Sequence, residues 1–356
     1  MRSLARVWDA LTSLKLTLVC LALLMVLVVA CTLAQVEMGT FAAVHAYIRG
    51  LLVWRQVPGT ALRIPIFPGG GLVGLLLLLN LVAAQAKRLE LSWRKSGLWV
   101  VHAGLILLFV GEFVTSGFQV ETQLSIEEGQ TVDFVESPRQ MELALTEVTN
   151  PVYDDEYGIP DSLLASSTRI EVKGTPVSLR VTPVSGDKET NVRAVYVEPI
   201  VNGRSYGTRL VSNALGAPQS FAHEGRTWTL SMRPRREYLP YSLTLKKFRH
   251  DRYSGTDIPK NFSSLVQLKN PARGEERDAL IYMNQPLRYE GKAFYQASFG
   301  KNDTMSVLQV VENPGWLLPY ISCVLVGAGL LVHFMFALFR SLKRAVAVRA
   351  GALVTP

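Results

Sequence analysis

"WVVHAGLILLFVG", residues 99–111, is apolar except for one side chain, His102. Read as a membrane span, it makes the whole chain a membrane protein and leaves an imidazole to be explained. A span takes roughly 20 apolar residues of helix. This stretch lies inside such a run, 97–117, and three more runs occur at about 16–34, 70–86 and 316–339. Between the third and fourth lies a long polar stretch, 118–314, ample for a folded domain. With hydrophobic types at 49% and charged types at 19%, the mean composition is that of a globular protein, so the distribution carries the signal.

Orientation follows from the short flanks. Arg2, Arg6 and Lys15 precede the first span. Lys87, Arg88, Arg94 and Lys95 sit between the second and third, and Arg340, Lys343, Arg344 and Arg349 follow the fourth. The opposite side has only Arg49, Arg55 and Arg63 in its short loop. The positive-inside rule therefore predicts both termini in the cytoplasm and the large domain outside. Trp99 and Trp316 lie near span ends, as interfacial aromatics do. The net charge of +8 partly reflects this topology. No basic stripe is interleaved with aromatics, so it does not read as nucleic-acid binding. The apolar run behind the basic N-terminus is longer than a signal-peptide core, and "LVVAC" (27–31) is a poor lipoprotein box at Val28. It reads as a retained span.

Cysteine is sparse: Cys20 and Cys31 in the first span, Cys323 in the fourth, none in the 118–314 domain. That domain is expected to have no disulfide, no CxxC redox pair and no thiolate metal site. No CxxCH occurs, so the chain is not itself a c-type cytochrome. The membrane cysteines read as small apolar fillers.

The large domain reads as strands. "RTWTLSM" (226–232), "YSLTLKKF" (241–248), "RIEVKG" (169–174), "VSLRVTP" (177–183) and "AFYQASF" (293–299) alternate with period two. Turn clusters such as "GIPD" (158–161) and "VNGRS" (201–205) separate them. The expectation is antiparallel sheets packed as a sandwich or open barrel. No GxSxG, HExxH or phosphate-cradling glycine loop occurs. His223 and His250 are isolated in sequence. "YDDEYG" (153–158) reads as a solvated acidic turn, because its carboxylates lack the spacing of a calcium loop.

Ionisable groups inside spans are expensive and are functional hypotheses by default. His102 is seven residues into the third span from Lys95, and His333 is seven residues from Arg340 at the end of the fourth. Both should lie roughly 10 Å from those charges, at similar depth in the cytoplasmic half of the membrane. Neutral imidazole is a common metal ligand and an axial ligand to haem iron. A haem macrocycle also suits an apolar slot between helices. The alternative is that each histidine hydrogen-bonds a neighbouring helix or reaches the interface. Asn80 and Gln85 in the second span are accounted for by helix–helix hydrogen bonds, and Glu112 by hydration near the outer interface.

Further motifs carry a resemblance. "HDRYSGTDIPKNFSSLVQL" (250–268) resembles the signature of the ResB family, also called CcsB. "MNQPLRYEGKAFYQASF" (283–299) and "NPGWLLPYISCVLVGAGLLVHF" (313–334) are similar to two further family blocks, and "SLKLTLVCLALLMV" to its first span. The resemblance covers essentially the whole chain. It implies an integral membrane protein of the bacterial inner membrane. A membrane region (1–117) would hold three transmembrane helices and a short periplasmic loop. A β-rich, sandwich-like extracytoplasmic (periplasmic) domain (118–314) would lie between helices 3 and 4, followed by a fourth helix (315–340) and a cytoplasmic tail (341–356).

The resemblance also implies a function. ResB-type chains work with ResC (CcsA) in type II cytochrome c maturation. The pair exports haem b, the transported substrate, and presents it to the CxxCH of apocytochrome c for thioether attachment. ResC carries the tryptophan-rich haem-handling segment, so this chain would be the non-catalytic subunit of the synthase. The family is expected to supply a haem axial ligand on its third span, and His102 matches that position. His333 matches the third block and is the weaker candidate. A His102–His333 pair would need the third and fourth spans to pack side by side. In "YSGTDIPKNF", Gly255 and Pro259 punctuate a turn and Asp257 can bond its own backbone, which is a structural role. Some members have an extracytoplasmic cysteine proposed to touch haem, and this chain lacks it. The alternative reading is a haem-free scaffold that stabilises ResC and recruits apocytochrome. Partners beyond these are membrane lipid and no nucleic acid.

Overall fold

The computed structural model describes residues 2–60, 62–87, 92–166, 168–184, 193–256, 259–300 and 303–352. Arg88 and Asp257 lie outside the described residues, as do the side chains of Arg2, Arg94, Pro259 and Arg349. In chain order the helices are α1 (Arg2–Leu11), α2 (Leu14–Ala43), α3 (Gly70–Lys87), α4 (Ser96–Phe118), α5 (Asp161–Ser166) and α6 (Leu318–Ala352). The chain forms two units: Met1–Gln119 with Asn313–Pro356, and Val120–Glu312.

The first unit is helical. Four of its helices are long and apolar enough to cross a membrane. The expected second and third spans match α3 and α4 within a residue. The first is longer than expected. Ser13 caps α2 by accepting from the Lys15 amide, and the helix runs on until Gly39, whose φ of +78° breaks it. A π-helical turn, Val44–Arg49, follows. The sequence missed three elements here. Residues 2–11, taken as a flank, form the amphipathic helix α1. The short loop folds into a hairpin, β1 (Leu52–Gln56) with β2 (Arg63–Pro68). The segment expected as a tail is helical to Ala352, as a continuation of α6.

Two polar or small-residue devices hold the helices. Asn80 is buried in α3, where its amide donates to the carbonyls of Leu11 (2.6 Å) and Ser13 (3.2 Å) and accepts from Thr17 (2.6 Å). One side chain thus satisfies the break between α1 and α2, as expected of an amide in an apolar span. The second device is a heptad of glycines on α4. Gly97, Gly104 and Gly111 are buried against α6. A period of seven drifts by only about 20° per repeat, so the three share a face. A Cβ on Gly97 would stand 2.6 Å from both the Gly329 carbonyl oxygen and the His333 amide nitrogen. Cys20 and Cys31 are buried as fillers, while Cys323 is exposed on α6.

The second unit is antiparallel β. Its strands are β3 (Val120–Glu127), β4 (Thr131–Glu147), β5 (Asp155–Pro160), β6 (Arg169–Glu171), β7 (Val177–Pro183), β8 (Ala194–Val201), β9 (Arg204–Ser205), β10 (Arg209–Ser212), β11 (Gln219–His223), β12 (Arg226–Arg252), β13 (Pro259–Asn270), β14 (Glu275–Tyr282), β15 (Leu287–Tyr289), β16 (Lys292–Gly300) and β17 (Met305–Glu312). A ten-stranded sheet runs β14-β13-β12-β4-β3-β17-β16-β15, with β11 added on β12 and β5 on β4. A five-stranded sheet runs β10-β8-β7-β6, with β9 on β8.

There are two cores. One joins Leu143, Leu145, Trp228 and Leu230 to Leu179, Val181 and Val197 of the smaller sheet, which is a sandwich. The other joins Val266 and Ile281 near one end of the large sheet to Phe294 and Leu308 near the other. Strands that far apart in one sheet share a core only if the sheet curls on itself, so this lobe is an open barrel. Ser264 of β13 ties the two arms, bonding Ser306 and Gln296 at 2.7 Å each. The expectation of a sandwich or open barrel thus meets one lobe of each kind.

Two local expectations are corrected and a third holds. "RTWTLSM" and "YSLTLKKF" are parts of one 27-residue strand, β12. The prolines between them sit at register shifts, where a strand tolerates a missing donor. "GIPD" is not a turn but the end of β5 and the start of α5. "VNGRS" is a hairpin turn, with Asn202 (φ 51°) and Gly203 (φ 82°) left-handed as a two-residue turn requires.

Candidate functional site

His102 sits in the second turn of α4. Its Nδ1 lies 2.7 Å from the Leu98 carbonyl oxygen, one turn earlier. A carbonyl only accepts, so Nδ1 carries the hydrogen, and the neutral ring keeps its free lone pair on Nε2. That is the arrangement in which a backbone carbonyl fixes the tautomer of a ligating histidine. The ring is half-buried and lines a cavity of about 250 Å³. Leu81, Ala84 and Gln85 of α3 form one wall, and Leu98 and Trp99 of α4 the other. Lys95 lines the same cavity. The walls suit a flat apolar ligand with an anionic edge. Gln85 is thus part of this cavity rather than a helix clamp, and Glu112 is exposed.

His333 lies elsewhere. The spans that carry the two histidines do pack side by side, through the glycine face of α4. Gly97 meets Gly329 and His333, Gly104 meets Ser322 and Val326, and Gly111 meets Leu318. In this antiparallel register the level of His102 falls near residue 326. His333 is about seven residues further along, or about 10 Å. The expectation of similar depth is corrected accordingly. The cavity at His102 opens between α3 and α4 and is not lined by His333. The structure does not bring the two imidazoles to one site.

The third motif, 313–334, has a visible local role. Asn313 donates to Thr115 at the end of α4 (3.1 Å) and accepts from the Gly315 amide (2.8 Å). It pins the entry of α6 to the exit of α4.

In the β unit, the isolated histidines acquire partners. The His250 side chain is 2% exposed, and its Nδ1 donates to Asp303 at 2.8 Å. Arg252 holds the other oxygen of Asp303 at 2.8 Å. The His250 ring lies 4.2 Å from that of Phe299. His223 bonds the Tyr206 hydroxyl at 2.5 Å. The acidic turn is corrected: Glu156 is not solvated. It receives two bonds from Arg233 (2.9 and 2.6 Å), one from Arg236 (3.5 Å) and one from the Tyr238 hydroxyl. The Arg233 bonds hold its carboxyl below the usual glutamate range, against the opposing effect of burial. Burial alone would depress the Arg233 guanidinium, and the bonds it donates to Glu156 and Glu142 more than reverse it. Sequence could not pair these residues, which are 77 positions apart. No cluster of three or more His, Cys, Asp or Glu able to hold a metal occurs among the described residues.

Comparison with known proteins agrees with the motifs. Residues 204–307 match the ResB-like family. That segment contains the first two motif blocks and ends before the third. The chain is also 25% identical over 268 residues to Protein NrfI of Wolinella succinogenes, a match covering 73% of this chain and 29% of that protein. The chain thus spans under a third of the length of that curated relative. The family segment, the relative and the four apolar helices bear out the resemblance read from the motifs.

Proposed function

We propose that this chain is the ResB-type subunit of a type II cytochrome c synthase. In this reading it works with a ResC (CcsA) partner to carry haem across the bacterial inner membrane and to support its thioether attachment to the CxxCH of apocytochrome c. Both termini are cytoplasmic and the β unit is periplasmic, in keeping with the distribution of Lys and Arg at the span ends. The observation that carries the reading is His102. Its tautomer is fixed by Leu98, and the ring lines an apolar cavity inside a span.

Haem here is cargo. It brings a planar apolar macrocycle, two carboxylates and an iron with axial positions to fill. The donor set fits that chemistry. Nε2 of His102 is the ligand, Leu81, Leu98 and Trp99 are apolar walls, and Lys95 is a cation for a propionate. The cavity is below the about 300–1,000 Å³ of pockets that enclose a whole ligand. It therefore takes one side of the macrocycle and leaves the other to the partner, including the second imidazole. The chain supplies no acid, base or nucleophile. It orients haem and keeps water from it, and in thioether formation orientation is most of what a protein contributes.

The test is cytochrome assembly in cells lacking the chain, complemented with variants and read by haem staining of c-type cytochromes. His102→Ala is expected to lower the yield at least roughly tenfold, the loss typical when a metal ligand's support is removed. His333→Ala should leave it near wild type. Full assembly with His102→Ala would remove the reading and leave the haem-free scaffold.

A further inference from the structure

The β unit carries a second cavity that the proposed function does not use. On β12, β13 and β14, residues such as Phe248, Val266 and Ile281 enter the core, so their neighbours face the other way. The register sets these neighbours in two rows. Lys247 pairs with Leu265 and Leu265 with Leu280, while Arg249 pairs with Ser263 and Ser263 with Tyr282. A cavity of about 270 Å³ opens on this face, lined by Lys247, Arg249, Ser263, Leu265 and Leu280. Leu280 is 52% exposed.

The charges there are uncompensated. Lys246, on the adjoining bulge, is held by Asp278 at 2.7 Å. Lys247 and Arg249 have no ion-pair partner among the described residues. Cations often guard the edge of a sheet against pairing. Beyond Thr244 β12 pairs on one side only, with β13, so an edge role accounts for the charges but not for the exposed Leu280 and half-buried Leu265 beside them. Two free cations and a hydroxyl beside an exposed aliphatic floor form an amphiphilic surface, and its complement is an apolar body bearing carboxylate.

We propose that this face is a binding site for an amphiphilic carboxylate. Lys247 and Arg249 grip the carboxylate, Ser263 donates a hydrogen bond to it, and Leu265 and Leu280 take the adjoining apolar body. The cavity is too small to enclose a ligand, so it takes the anionic edge of one. Two sources share this chemistry: the propionate edge of a tetrapyrrole and a fatty acid. The site goes beyond the proposed function, since none of its residues lines the cavity at His102.

The experiment is a fluorescence titration of the full chain, in nanodiscs of phosphatidylcholine, with metal-free protoporphyrin IX. Saturable binding is expected. It should weaken roughly tenfold in the Lys247→Glu/Arg249→Glu double variant, as the loss of two exposed charge contacts predicts. It should weaken less in Lys247→Gln/Arg249→Gln, and not at all in Lys173→Glu. The dimethyl ester, which lacks the charges, should not saturate. Displacement by oleate below the porphyrin's own Kd assigns the fatty acid as the source, and failure to displace assigns the tetrapyrrole. Equal affinity in the charge-reversed variant, an ester that binds as well as the diacid, or no saturable binding of either ligand overturns the proposal.

Discussion

Gly97→Leu is expected to disrupt the helical unit. A Cβ at Gly97 meets backbone, not a side chain that can turn away: the Gly329 carbonyl oxygen and the His333 amide nitrogen, both at 2.6 Å. Gly329 has the reciprocal conflict, 2.7 Å from the Gly97 oxygen and the Val101 nitrogen. Overpacking of an ordinary core costs about 1–3 kcal/mol. Here α4 and α6 must move apart along a shared face, so the cost should reach or pass the upper end. The readout is the yield of monodisperse chain after detergent extraction. Gly327→Leu on α6 and Gly117→Leu at the end of α4 are the controls, because a Cβ at either meets nothing within 4 Å. Gly97→Leu should collapse the yield while both controls stay near wild type. Normal yield from Gly97→Leu would mean that α4 and α6 do not pack through this face.

Arg233→Met is expected to destabilise the β unit by about 3 kcal/mol, the lower end of the cost of leaving a buried charge unpaired, because Glu142 loses its cation while Glu156 keeps Arg236 at 3.5 Å and the Tyr238 hydroxyl. Arg233 bonds Glu142 at 3.0 Å and Glu156 at 2.6 Å, and the three side chains are 15%, 7% and 22% exposed. The pH dependence should change sign. In the wild type the Glu156 carboxyl is held below its ordinary value of 4.5. A depressed acid contributes stability that is full above that ordinary value and is lost as pH falls through the folded value. In Arg233→Met the stranded carboxylate is raised instead, so protonation helps the folded state. Acidification from pH 7 towards 4 should therefore narrow the gap between the two proteins. Thermal unfolding of the full chain across that range measures it, and a constant gap would show that Arg233 acts by packing alone.

What the sequence revealed depended on whether the signal was local. The spans were legible because twenty apolar residues need no partner to be recognised, and α3 and α4 matched within a residue. Strands with clean alternation, such as β7, were legible for the same reason. The bent strand β12 was not. Its prolines read as breaks, whereas pairing with β4 and β13 carries the strand through them at register shifts. The glycine heptad on α4 was visible as spacing, but its meaning depends on Gly329, 232 positions from Gly97. His102 was legible as an anomaly. Its bond to Leu98 follows from helical spacing, but the cavity needs α3. The ion cluster at Glu156 and the cation pair beside Leu280 were beyond reach, because both depend on strand register.

The central claim is that His102 ligates haem, and an absorption spectrum tests it most directly. The chain would be purified with the proposed ResC-type partner as wild type, His102→Ala, His102→Gly and His333→Ala, each with and without added imidazole. Loss of the haem bands in the His102 variants alone, restored by imidazole, is the predicted result. Full haem content in the His102 variants, or an equal loss in His333→Ala, would contradict it.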